Sequence, residues 1–182
     1  MKKTIIASLV GALLMFFWQF LSWGPLQLHR PAQEYTPKQD SIMAYLNSQF
    51  SADGSYFMPT FPKGASSADM DKLMKSSVGK PWAFIHYHKA YNANMGMNMA
   101  RGFLVNIVVL WLLCWMIGKM DNATFGTIFA ATLFVGFIGL LSITYTFHIW
   151  YQTSDLNAHL IDTIACWGIV GIWLGFYLKK KS

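Results

Sequence analysis

Four long apolar runs with almost no acidic or basic side chains dominate this sequence. Residues 4–23, 102–118 and 123–147 carry none, and 156–178 carries only His159 and Asp162. A helix of about 20 apolar residues crosses the hydrocarbon core of a bilayer, which is ~30 Å thick. The sequence therefore predicts an all-α, polytopic membrane protein. Its four transmembrane helices are expected at about 4–23, 100–118, 123–147 and 157–178.

The composition supports a single membrane domain over residues 1–182. Only 12% of the residues are charged, against about 25% in a typical soluble domain. The first apolar run follows Lys2 and Lys3, a layout that secretory signal peptides share. However, the run exceeds the 7–15-residue apolar core of a signal peptide, so a retained anchor is the favoured interpretation.

The distribution of lysines predicts the topology. Lys2 and Lys3 precede the first span, and Lys179, Lys180 and Lys181 follow the last one. The positive-inside rule places both ends in the cytoplasm, so we expect a multi-pass protein of the bacterial cytoplasmic (inner) membrane, with the bilayer as its first partner. No basic stripe interleaved with aromatics occurs, which argues against nucleic-acid binding.

The polar stretch at about 24–99 predicts a partly helical extracytoplasmic cap. Ile42, Leu46 and Phe50 recur at helical spacing, which indicates a helix over 37–50. Ser66 and Asp69 open a second short helix. Residues 82–88 have the composition of a strand, but an extension of the second span is an open alternative.

Ionisable residues collect at the predicted outer ends of the last three spans. They are Arg101, His148, Asp155, His159 and Asp162. The last three lie at i, i+4 and i+7, so one helix face carries them. An ionisable group at membrane depth suggests a functional site. The structural interpretation is an Arg101–Asp162 ion pair, and the functional alternatives are a site for a small ligand, a proton or a divalent metal ion.

A second set of residues suits copper. His86 and His88 precede the second span, and Met95, Met97 and Met99 follow them closely. Thioether and imidazole ligands favour copper(I), and the stretch resembles the Met-rich segments of copper-handling proteins. The alternative is that the methionines fill gaps in packing.

Small residues on the predicted spans indicate close helix contacts. The positions are Gly11, Gly168, Gly171 and Gly175, and the last two form a Gly-x-x-x-Gly pair. Such faces pack helices together in lipid, either within this chain or against a membrane-protein partner or a second copy. Gln19 and Asn106 are expected to hydrogen-bond to neighbouring helices, and Cys114 and Cys166 to be buried without a disulfide.

The layout of the chain resembles small bacterial four-helix membrane proteins of unknown function. The likeness consists of the basic N-terminus, Trp23-Gly24-Pro25 at the exit of the first span, and Asp162 early in the last span with small residues after it. The long insertion at 24–99 departs from the shorter members. The resemblance implies a fold and a membrane location, and it transfers no catalytic residue.

No enzyme motif accompanies these features. Gly-x-Ser-x-Gly, His-Glu-x-x-His, the P-loop and Gly-x-Gly-x-x-Gly are all missing from the sequence. The leading prediction is a non-enzymatic accessory or interaction subunit of a cell-envelope complex, without a required cofactor. The alternative is a binding or transport protein for a small ligand, a proton or a metal ion, built on the outer His/Asp/Arg cluster.

Overall fold

The computed structural model describes residues 2–121 and 123–180 and is mostly helical. Helix α1 spans Lys2–Trp23, and the other long helices are α4 (Met95–Gly118), α5 (Phe125–Gly139) and α7 (Leu156–Leu178). A π-helical segment, Leu140–Tyr145, joins α5 to the short helix α6 (Thr146–Trp150). Lys181, which the topology prediction used, lies outside the described residues.

Within the described residues, four helices are long and apolar enough to cross a membrane. They are Lys2–Trp23, Met95–Gly118, Phe125–Trp150 and Leu156–Leu178, and only 22–33% of each apolar window is buried inside the protein. The remaining apolar surface needs an apolar neighbour. These helices indicate a multi-pass membrane protein, as the apolar runs predict.

The chain divides into two compact units. The helical unit comprises Met1–Glu34 and Ala93–Ser182, and the inserted unit comprises Tyr35–Asn92. Residues 24–34, which the sequence analysis assigned to the cap, therefore fold with the helices. This difference matters because those residues contribute to the candidate site.

Helices α1 and α7 form the centre of the helical unit. Helix α1 packs against α4 and α7, and α7 also packs against α5. Leu110, Val170 and Leu174 are fully buried in this core. Gln19 and Asn106 hydrogen-bond to each other between α1 and α4, which confirms their predicted interhelical role. Both cysteines are free and buried.

Three of the four predicted packing glycines meet other helices of the same chain. A Cβ on Gly11 would lie 3.0 Å from Leu110, one on Gly171 would lie 3.0 Å from Phe129, and one on Gly175 would lie 2.7 Å from Phe125. Gly168 differs, because no atom lies within 4 Å of its Cβ position.

The inserted unit combines two helices and a hairpin. Helix α2 spans Gln39–Gln49 and α3 spans Ser67–Ser77; strands β1 (Gly54–Met58) and β2 (Ala83–Tyr87) pair antiparallel, with Gly54 opposite Tyr87. Ser66 caps α3, since its Oγ accepts a hydrogen bond from the Asp69 amide. The open alternative at 82–88 resolves to a strand followed by a loop, and α4 begins at Met95.

Tyr87 anchors the hairpin to α2. Its side chain is 2% exposed, and its hydroxyl donates to Asn47 Oδ1 at 2.7 Å. We expect Tyr87→Phe to destabilise the inserted unit by about 1 kcal/mol, because one hydrogen bond is lost. Amide hydrogen exchange of β1 and β2 in the full chain should then accelerate about five-fold.

A matched control is available in Tyr56, whose hydroxyl donates to the Ala52 carbonyl oxygen in an exposed position. Tyr56→Phe should change the exchange rates far less, because water replaces an exposed partner readily. Equal effects of the two variants would contradict the anchoring role of Tyr87.

Candidate functional site

A tight turn after α1 brings His29 back onto the helix end. Gly24 permits the turn, since a Cβ there would lie 2.8 Å from the Phe20 carbonyl oxygen. Gln27 adopts a left-handed backbone conformation (φ 48°), and the Leu28 amide donates to the Ser22 carbonyl oxygen. His29 follows directly. The local sequence therefore fixes the position of its ring.

His29 is enclosed on all sides. Its exposed fraction is 2%, and its ring stacks on Trp23 with the centroids 3.9 Å apart. Nδ1 lies 2.8 Å from Asp155 Oδ2, and Nε2 lies 3.0 Å from Asp162 Oδ2. Both ring nitrogens thus have a carboxylate partner, which a buried imidazole needs.

His159 completes the arrangement, which we term the His–Asp cluster: His29, Asp155, His159 and Asp162. His159 Nε2 lies 3.4 Å from Asp155 Oδ2. The Trp18 indole N–H donates to Asp162 Oδ1 at 2.9 Å. Asp155 precedes α7 and makes no side-chain bond to the helix N-terminus, so its carboxylate is available to the two histidines.

The carboxylates also alter the proton affinity of His29. Burial alone would lower the pKa of its imidazole, but the hydrogen bonds and charges of Asp155 and Asp162 outweigh burial, and the pKa is raised above 6.5. Without a competing cation, the cluster therefore favours an imidazolium held between two carboxylates.

The structure brings together three of the five residues predicted at this site. Asp155, His159 and Asp162 lie in the cluster, whereas Arg101 and His148 do not. Arg101 is exposed and makes no ion pair within residues 2–121 and 123–180, so the predicted Arg101–Asp162 pair is wrong. Two side chains at a similar depth in the membrane can lie on helix surfaces that do not face each other.

His148 has a local role instead. Its Nδ1 accepts a hydrogen bond from the Thr153 amide at 3.0 Å, which closes the turn after α6. The contact is between residues five positions apart in the chain, and it explains the position of the ring without any ligand.

The copper candidates belong to two different units. His86 contacts Ser55 across the hairpin, and His88 contacts Asp53. The Lys89 amide and His88 also hold the pKa of the exposed Asp53 carboxyl below its usual value. Met95, Met97 and Met99 are exposed in the first turns of α4, where helical geometry separates Met97 from the face that Met95 and Met99 share.

His29 is not among the site residues that the sequence predicts. The signal that could have found it is its position, six residues beyond Trp23 in the short connection that leaves the first span. The predicted topology places that connection on the same side of the membrane as Asp155. Neither residue number nor periodicity reveals that the chain folds back, because the turn at Gly24 and Gln27 decides it.

The cluster offers a recognisable set of metal ligands. One atom each of His29, Asp155 and His159 can be chosen so that all three lie within 4.8 Å of one another. Mixed imidazole and carboxylate ligands suit zinc and other divalent transition metals. No protein family, curated protein or solved structure matches the chain.

Proposed function

We propose that this chain is a membrane protein that binds a divalent metal ion of the zinc class at the His–Asp cluster. The observation that carries the proposal is the convergence of His29, Asp155 and His159, whose ligand atoms lie within 4.8 Å of one another. The proposal develops the binding alternative of the sequence analysis, with His29 in the place of Arg101.

The distances between the proposed ligand atoms are of the size that a zinc site needs. Zinc binds imidazole nitrogen and carboxylate oxygen at about 2.0–2.2 Å, so its ligand atoms lie roughly 3.4 Å apart. Asp155 Oδ2 lies 2.8 Å from His29 Nδ1 and 3.4 Å from His159 Nε2. The third pair of ligand atoms lies within 4.8 Å, so a rearrangement of these side chains would be needed for all three to bind one ion.

The surroundings orient the proposed ligands. Histidines that bind a metal through one nitrogen commonly donate from the other to a carboxylate. His29 has this arrangement, because Asp162 lies at its Nε2 and is itself held by the Trp18 indole. Binding at Nδ1 would displace the proton that His29 shares with Asp155, so metal binding releases protons.

The test is a zinc titration of the purified full chain against a chromophoric chelator. We expect one site in the natural protein. His159→Asn should weaken it severely, since one ligand is lost. Asp162→Asn should weaken it by roughly 10–100-fold, the usual cost of losing the carboxylate behind a ligating histidine.

His88→Asn is the matched control, because His88 also contacts an aspartate but lies 69% exposed with no third ligand. It should bind zinc as the natural chain does. Circular dichroism of each variant establishes that it is folded. The proposal fails if the natural chain binds no zinc, or if folded His159→Asn and His88→Asn bind it equally well.

The accessory-subunit function stays a prediction. Its motive was the set of small-residue faces, and Gly11, Gly171 and Gly175 are occupied by side chains of this chain. Gly168 alone among the four predicted positions has an open surface, and it supplies the separate test described in the Discussion.

A further inference from the structure

A partly open cavity of about 230 Å³ lies beside the His–Asp cluster. It is bounded by α1, by α7 and by the junction of α5 with the π-helical segment. A water molecule in the liquid occupies about 30 Å³, so the cavity has room for a small organic molecule. Asp162 lines it, which puts the carboxylate at the boundary between the cluster and the open space.

The helix geometry keeps this space open. Gly139 and Leu140 line the cavity at the point where α5 passes into the π-helical segment. No atom lies within 4 Å of the Cβ position of Gly139. Single π-helical turns occur frequently at functional sites. Here the π-helical segment lines a cavity whose lining also includes the Asp162 carboxylate.

The Asp162 carboxylate that lines the cavity favours a cation as its ligand. The Asp162 carboxylate is 21% exposed, and it accepts from Trp18 and His29 at one oxygen each. An ionised carboxylate has about four acceptor positions, so it can accept further hydrogen bonds. Two carboxylates, those of Asp155 and Asp162, face the single buried imidazole of His29, so acidic groups outnumber the ring that lies between them.

Two aromatic rings in the cavity lining favour an organic cation over an inorganic one. Trp18 and Trp167 line the cavity. The Trp18 ring is fixed by its bond to Asp162, and the Trp167 ring sits where a Cβ on Gly136 would come within 2.5 Å of it. Tryptophan faces attract organic cations. The apolar Met15 and Leu140 favour alkyl groups over a hydrated inorganic ion.

We infer that this cavity binds a small alkylammonium ion, with its N–H directed to Asp162 and its alkyl groups against Trp18 and Trp167. The inference goes beyond the proposed metal function and does not require it. A divalent ion in the cluster would neutralise the carboxylates, so the two cations should weaken each other's binding by the same factor.

The experiment is a calorimetric titration of the zinc-free full chain with trimethylammonium chloride, with sodium chloride held at equal ionic strength. The probe has one N–H donor and three methyl groups. Saturable binding is expected, whereas tert-butanol, a neutral molecule of similar shape, should bind at least ten-fold more weakly. Asp162→Asn should weaken trimethylammonium binding at least ten-fold.

The substitution Gly139→Leu tests the cavity independently of the His–Asp cluster. The leucine should fill the cavity and abolish trimethylammonium binding, with zinc binding unchanged because no cluster residue is altered. Gly168→Leu is the control, since its Cβ position is equally open but lies outside the cavity lining. Absence of saturable binding in the natural chain, or equal binding by folded Gly139→Leu and Gly168→Leu, would overturn the inference. Loss of zinc binding alone would leave it standing.

Discussion

Replacing His29 by alanine is expected to lower the free energy of unfolding by about 3–5 kcal/mol. The ring is 2% exposed and satisfies Asp155 and Asp162 at 2.8 and 3.0 Å. Without it, the Asp155 and Asp162 carboxylates lose the ring that lies between them and repel each other across the space it leaves, and the stacking on Trp23 is lost. Thermal unfolding of the zinc-free chain in a mild detergent measures the effect.

The pH dependence separates the charge of His29 from its packing. Because the pKa of His29 is raised above 6.5, the stabilisation by the charged imidazole is fully present below pH 6.5. It is lost as the pH rises through the raised pKa. The difference in stability between the natural chain and His29→Ala should therefore shrink over that interval, with Asp155, Asp162 and His159 as the ionisable groups that face the ring.

His88→Ala is the control for this experiment. It removes an exposed His–Asp contact, and water screens an exposed ion pair, so its loss should cost far less stability than the loss of His29. Adding Asp155→Asn to His29→Ala should recover part of the lost stability, since one repelling charge is removed. A stable His29→Ala chain, or equal losses in the two histidine variants, would show that the cluster does not stabilise the fold.

The fold could be predicted from the sequence because lipid imposes a simple rule. Each span must be a continuous apolar helix, and the four runs without acidic or basic residues mark those helices to within a few residues. The largest difference is at α4, which begins at Met95 rather than near residue 100. The Asn94 side chain caps Met97 there, and a cap outside the apolar run extends the helix.

The candidate site could be predicted only in part. Helical spacing predicts Asp155, His159 and Asp162 on one face, because His159 and Asp162 lie in the first two turns of α7 and Asp155 directly precedes it. The partner of Asp162 lies on another part of the chain, and spacing gives no information about it. Arg101 was chosen on depth alone, whereas His29 reaches Asp162 through a turn that depends on Gly24 and on the backbone conformation of Gln27.

The contacts that small residues on a span make are also difficult to predict from the sequence. The spacing of Gly171 and Gly175 is equally compatible with contacts inside the chain and with contacts to a partner. In the structure, Phe129 and Phe125 of α5 occupy those two positions. Gly168 lies three residues earlier on α7, and no atom of another described helix lies within 4 Å of its Cβ position. The spacing of these glycines could not distinguish them, because it shows which helix face they share and not which residues pack against that face.

Gly175→Leu is therefore expected to destabilise the chain by about 1–3 kcal/mol. A Cβ there would lie 2.7 Å from the Phe125 ring and 3.3 Å from the Phe125 carbonyl oxygen. The ring can move only by disturbing its contact with Phe176, at 4.8 Å between centroids. Thermal unfolding of the purified chain in detergent should show a lower midpoint.

Gly168→Leu is the matched substitution on the same helix, and the purified chain should keep its natural midpoint because the new side chain meets open space. Equal destabilisation by the two substitutions would contradict the described contact of α5 with α7. The same pair tests the accessory-subunit prediction after gentle extraction from native membranes. If Gly168 faces a partner, Gly168→Leu should release a co-purifying protein from a chain of unchanged stability. Release by Gly175→Leu alone would instead follow from the damaged helix packing.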